Sequence, residues 1–142
     1  MNHAFKATYF RTALLLGLIR GDIVHEWAEQ VIAGEEKPPA PFIDLIAVSV
    51  DDLSGMRHAL WPLVVDPPPL DVLHAVLRLL HADLAEDRRS LEDTLTVVRQ
   101  LRSMVKLPPP LYAELNDALV NHSAGTAALT EWLTRFAGAS TL

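Results

Sequence analysis

The chain has 142 residues, of which half are hydrophobic and 21% are charged, and its formal net charge is −6. This composition excludes an intrinsically disordered chain, and the length predicts one domain over residues 1–142. The absence of cysteine excludes disulfide frameworks, thiol catalysis and cysteine-ligated metal sites. The chain has twelve basic and eighteen acidic residues, and its longest basic run is Arg88-Arg89. A nucleic-acid-binding surface is therefore not expected.

The N-terminal region loosely resembles a secretory signal peptide. Lys6 and Arg11 precede an apolar run over residues 13–19, as in a signal peptide, but the run is short and Arg20 and Asp22 follow it directly. This pattern indicates a helix of the core. No apolar run approaches the roughly 18–20 residues that span a bilayer, so we expect no membrane partner and a cytoplasmic location.

Three proline clusters divide the sequence. They cover residues 38–41, 67–69 and 108–110, and each is followed at once by an apolar segment with helical spacing. Proline fits the first turn of a helix because it has no N–H to leave unbonded there and its φ is already helical. Each cluster therefore predicts the end of one helix and the start of the next.

The apolar periodicity predicts eight helices and no strand. In chain order they are expected over about residues 4–18, 22–33, 42–48, 51–61, 70–85, 91–105, 111–119 and 129–136. The first is expected to bury Phe5, Tyr9, Ala13 and Leu16, and the second to bury Val24, Trp27, Ala28 and Val31. Asp22 is expected to cap the second helix and Ser90 the sixth. The predicted fold class is all-α, an irregular single-domain bundle of about eight helices or a stack of antiparallel helical hairpins.

The fifth predicted helix is apolar around about half of its circumference, which predicts a central position. Its remaining strip carries Asp71, His74, Arg78 and His81, which project in nearly one direction. These four residues could bind a ligand or partner, or they could form the ordinary solvent-exposed side of the helix. His74 and His81 lie two turns apart, about 10 Å, which is too far to share one metal ion.

Other candidate residues point to no specific chemistry. His25 and Glu29 have the i, i+4 spacing of a metal-binding pair, but they are predicted on the solvent face of the second helix. Trp27 and Trp132 lie on apolar stripes and His122 on an apolar face, all three typical of core positions. Trp61, next to Pro62, could anchor a protein partner or could close the bundle against the second proline cluster. No catalytic residue, metal site or cofactor is predicted.

Part of the N-terminal third resembles small all-helical bacterial proteins, some of which look like immunity proteins of toxin systems. The resemblance lies in residues 15–19, in residues 23–32 with the pair Trp27-Ala28, and in Leu45-Ile46. It implies a protein-binding role and identifies no catalytic residue.

Three functions are compatible with these features. The first is a protein–protein interaction module, immunity-like or adaptor-like, whose acidic surface meets a basic partner. The second is a small-ligand binder or an enzyme that uses the strip from Asp71 to His81. The third is a homo-oligomer in which a second copy covers the apolar fifth helix. The lack of a catalytic constellation favours the non-enzymatic alternatives.

Overall fold

The computed structural model describes residues 3–120, with side chains through Asp117. The α-helices of this part are α1 (His3–Leu15), α2 (Gly21–Gly34), α3 (Ala40–Ala47), α4 (Leu53–Leu60), α5 (Leu70–Ala85), α6 (Leu91–Met104) and α7 (Pro109–Val120). A 3-10 helix, Trp61–Leu63, follows α4, and these residues contain no strand, which confirms the all-α class. The predicted eighth helix, His122 and Trp132 lie outside the described residues. No helix in this range is long and apolar enough to cross a membrane.

The described residues divide into two compact units at the boundary between Asp66 and Pro67. Unit 1 contains α1 to α4 with the 3-10 helix, and unit 2 contains α5 to α7. That residues 1–142 form a single domain stays a prediction.

The proline clusters start helices, as the sequence predicts. Pro39 and Pro69 occupy the N-cap positions of α3 and α5, and α7 begins at Pro109. The Ser90 hydroxyl accepts a hydrogen bond from the Asp93 backbone N–H at 3.0 Å, which confirms the predicted cap of α6. These starts are set by local chemistry, because the first backbone N–H groups of a helix have no acceptor within the helix. A capping side chain such as Ser90 accepts from one of them, and proline has no N–H to leave unbonded.

The first helix ends three residues earlier than predicted, at Leu15 instead of Leu18. Gly17 adopts a φ of 70°, which glycine tolerates at little cost. Its N–H donates to the Leu14 carbonyl and the Leu18 N–H donates to the Ala13 carbonyl, the bond pattern of a Schellman cap. The buried Leu18 side chain completes this helix end.

The second correction concerns the start of α2. Arg20, not Asp22, occupies the N-cap position, and Asp22 lies in the first helical turn. The Arg20 guanidinium donates two hydrogen bonds to the Asp22 carboxylate, and this bonding lowers the pKa of Asp22. Asp22 thus carries favourable negative charge near the positive end of the helix dipole without capping it.

The core of unit 1 is centred on Trp27. Its ring centroid lies 5.1 Å from that of Phe10 on α1 and 5.0 Å from that of Phe42 on α3. Helix α3 packs on α2 and α4, and α1 packs on α4. The core face of α1 differs from the prediction, since Phe5 and Tyr9 are only half-buried. The buried positions of α1 are Ala7, Thr8, Phe10, Thr12, Ala13 and Leu14.

In unit 2, α6 packs against both α5 and α7. Helix α5 has the predicted bounds, and most of its apolar arc is buried within the single chain, although Leu70 is 45% exposed. The residues with no exposed surface are Val72, Leu73, Val76, Leu77 and Leu80. A second copy of the protein is therefore not needed to cover these side chains.

Candidate functional site

The polar strip predicted on α5 is not one open surface. Asp71 is exposed, and its carboxylate accepts a hydrogen bond from the Val72 N–H at 3.0 Å. His74, Arg78 and His81 are half-buried, and each interacts with another residue. Of the four predicted residues, only His74 lines a cavity described in unit 2.

That cavity has a volume of about 200 Å³ and lies between α5 and the start of α7. Its walls are mostly apolar, and two titratable side chains, His74 and Glu114, reach it. The described residues that line it are Leu70, His74, Pro108, Pro110, Leu111 and Glu114. The sequence analysis missed Glu114 because nothing in the spacing of α7 relates it to α5. Only its register, one turn after the buried Leu111, offered a signal.

Unit 1 has a larger cleft, of about 490 Å³, where the turn before α2 meets the turn after α3. It is lined by Ile19, Arg20, Gly21, Asp22, Val50, Asp51 and Leu53. Gly21 allows the two turns to touch, because a Cβ atom at this position would overlap the Val50 carbonyl oxygen and lie 2.9 Å from Met56 Sδ. The cleft thus has aliphatic side chains beside charged ones.

An exposed aliphatic row continues from this cleft onto α3. Ile43 and Ile46 on α3 are 50% and 36% exposed, and Val50, which lies three residues beyond the end of this helix and lines the cleft, is 37% exposed. The exposed carboxylates of Asp44 and Asp51 lie within the same segment. We call the cleft together with Ile43 and Ile46 the α3 surface. Single exposed aliphatic residues are ordinary, whereas large contiguous exposed apolar patches mark binding surfaces.

His25 does not project freely into solvent as predicted, since its side chain is 23% exposed. Its Nε2 lies 2.9 Å from the Ile46 carbonyl oxygen and its Nδ1 lies 3.4 Å from Glu29 Oε1. The carbonyls at the end of a helix lack intrahelical partners, so His25 supplies one to α3. This structural role accounts for the His25–Glu29 pair, and the described residues contain no group of three or more metal-ligating side chains.

Trp61 lies in the 3-10 turn and is 46% exposed. The Arg11 guanidinium carbon stands 4.7 Å from the centre of its ring, within cation–π distance. The ring is therefore held in place while much of its surface faces solvent. Its use as an anchor for a partner stays a prediction.

The basic doublet is occupied by ion pairs within unit 2. Arg88 Nε lies 3.0 Å from Asp83 Oδ1, and Arg89 lies 3.7 Å from Asp83 Oδ2. Arg88 also pairs with Glu86, and the hydrogen bond to Asp83 raises the pKa of Arg88. These two cations are largely neutralised by neighbouring carboxylates, which leaves little positive charge for a phosphate backbone.

No protein-family model, curated protein or solved structure matches this chain. These comparisons therefore assign the chain to no family, and they do not support the resemblance of its N-terminal third to immunity-like proteins. The α3 surface and the cavity in unit 2 are the two candidate binding sites of the described residues.

Proposed function

We propose that this protein is an interaction module that binds a basic protein through the α3 surface of unit 1. The observation that carries the proposal is the row of exposed aliphatic side chains beside an open cleft. Interfaces combine such an apolar centre with a polar rim. We also propose a cytoplasmic location, which agrees with a chain that has no cysteine.

The negative charge of unit 1 favours a basic partner. Residues 1–66 contain nine acidic and five basic side chains, a formal charge of −4. Near the α3 surface, Asp44, Asp51 and Asp22 are exposed, and Arg20 is already paired with Asp22. A field of one sign accelerates the encounter with a partner of opposite sign.

The exposed area of Ile43, Ile46 and Val50 determines how much binding free energy their replacement should remove. Full burial of an aliphatic side chain contributes about 1.5–3 kcal/mol, so covering the exposed third or half of one contributes about 0.5–1.5 kcal/mol. Replacing Ile46 and Val50 together by serine should therefore weaken binding about tenfold or more. Because both side chains are already partly exposed, the free protein should keep its fold.

The test starts with native mass spectrometry of the protein isolated gently from its source, to identify a bound protein. Association kinetics are then measured with the purified partner over a range of salt concentrations. The variants are Ile46→Ser/Val50→Ser for the apolar row and Asp44→Asn/Asp51→Asn for the charge. The matched control is Met104→Ser, an exposed apolar residue of α6 in unit 2 that is 51% accessible.

The proposal predicts a basic partner, an association rate that falls about tenfold from low to high salt, and a slower association of Asp44→Asn/Asp51→Asn. It also predicts weaker binding of Ile46→Ser/Val50→Ser and unchanged binding of Met104→Ser. An acidic partner, a salt-independent association rate, or equal affinity of both serine variants would contradict it. So would a sample that contains only single or paired copies of this chain.

A further inference from the structure

The cavity of unit 2 is separate from the α3 surface and has its own chemistry. We propose that it binds a small organic cation, a primary amine with an apolar body of about six carbon atoms. Among the described lining residues, the apolar walls and the carboxylate of Glu114, together with the volume of about 200 Å³, define this ligand class.

Size limits the ligand to a small molecule. An apolar cavity of about 150 Å³ holds one benzene molecule, so about 200 Å³ holds a six-carbon ring and one short polar substituent. Leu111, which is 3% exposed, is the most buried of the described lining residues, and the rings of Pro108 and Pro110 form part of the wall. Proline has little conformational freedom to lose, so this wall is largely preorganised.

The charge of the lining favours a cation over an anion. Glu114 is exposed, and no hydrogen bond or ion pair within the described residues engages its carboxylate. Part of the usual donor set of the two helix N-termini beside the cavity is absent or already used. Pro110 has no N–H, and the N–H groups of Val72 and Leu73 already donate to the Pro69 carbonyl.

The two titratable residues have different roles in this proposal. The Glu114 carboxylate accepts hydrogen bonds from the ammonium group, which is the charged contact. The half-buried His74 supplies one face of the cavity beside the apolar body of the ligand. Leu70, which is 45% exposed, would lose accessible surface on binding, and this adds an apolar contribution.

The experiment is an NMR titration of the full chain with cyclohexylmethylamine, followed by backbone amide shifts. Two ligands of the same shape serve as comparisons, the neutral alcohol cyclohexylmethanol and the anion cyclohexanecarboxylate. The protein variants are Glu114→Gln, which removes the charge, and Leu70→Ser, which removes an exposed apolar contact. Glu92→Gln is the matched control, because Glu92 is an exposed carboxylate of the same unit on α6 and does not line the cavity.

We expect saturable shifts at Leu111 and Glu114 with a dissociation constant of about 1–20 mM, the range for a ligand of this size. Glu114→Gln should weaken amine binding about 3- to 10-fold, and Leu70→Ser about 2- to 5-fold, while Glu92→Gln should bind as the wild type does. Equal binding of the alcohol, tighter binding of the carboxylate, or an unchanged affinity of Glu114→Gln would overturn the proposal. Shifts that do not saturate up to about 100 mM, far above the expected range, would also overturn it.

Discussion

Replacing Gly21 by alanine tests the close approach that forms the floor of the unit 1 cleft. Its φ lies outside the left-handed region, so alanine is allowed by the backbone and the effect comes from packing alone. The added Cβ would overlap the Val50 carbonyl oxygen and stand 2.9 Å from the fully buried Met56 sulfur. The carbonyl is backbone and cannot rotate away, so the two turns must separate.

The expected cost follows from these contacts. Overpacking of a tight site costs about 1–3 kcal/mol, and a backbone neighbour places Gly21→Ala toward the upper part of that range. The lower conformational entropy of the unfolded alanine chain offsets about 0.4–1 kcal/mol. We therefore expect a net loss of about 2 kcal/mol in the free energy of unfolding.

Gly34→Ala is the matched control, because Gly34 ends the same helix and a Cβ there would meet nothing within 4 Å. This variant should be neutral or more stable by up to about 1 kcal/mol. The assay is urea unfolding followed by circular dichroism, in which the two midpoints should differ by about 1 M or more. Equal midpoints would refute the contact between Gly21 and Val50 and, with it, the shape of the cleft.

Three further variants test the core, a helix cap and an ion pair. Leu77→Ala should cost about 2–5 kcal/mol in urea unfolding because Leu77 has no exposed surface, and a cost below about 0.5 kcal/mol would mean that α5 is not central. Ser90→Ala should cost about 1 kcal/mol through the lost cap, whereas the exposed Ser103→Ala should stay within about 0.5 kcal/mol of the wild type. Arg20→Gln should raise the pKa of Asp22 toward the ordinary aspartate range in an NMR titration, since the hydrogen bond from Arg20 lowers it. The stabilisation from this pair is present above the ordinary aspartate pKa of about 3.9 and is lost as pH falls through the lowered value, so the two proteins should converge in acid. An unchanged Asp22 pKa in Arg20→Gln would contradict the assignment.

The elements that sequence predicts well are those fixed by neighbouring residues. The start of α5 after Pro69 and the cap at Ser90 depend on backbone groups within one turn. The buried arc of α5 follows from helical spacing, because a stripe that wide must be covered on several sides. Helix α1 ends three residues before the predicted end at Leu18, at the left-handed Gly17, which begins the turn that the sequence predicts over residues 17–21.

The candidate site is predicted less well because it depends on which helices meet. The sequence indicated His74 but not Glu114, since residues forty positions apart share a cavity only through the packing of α5, α6 and α7. His25 was expected in solvent, and the approach of α3 gives it the Ile46 carbonyl instead. Asp22 was expected to cap α2, and Arg20 takes that position while its side chain pairs with the carboxylate.

By itself, the sequence determined the helical class, the positions of most helix starts and the acidic charge. Hydrogen-bond chemistry at helix ends and the spacing of apolar residues act over a few positions, and any fold must satisfy them. Only the tertiary structure decided that Ile43, Ile46 and Val50 remain exposed beside a cleft while similar residues are buried. A side chain is buried only when another part of the protein packs against it. The spacing of apolar residues along one helix does not specify which other element does so.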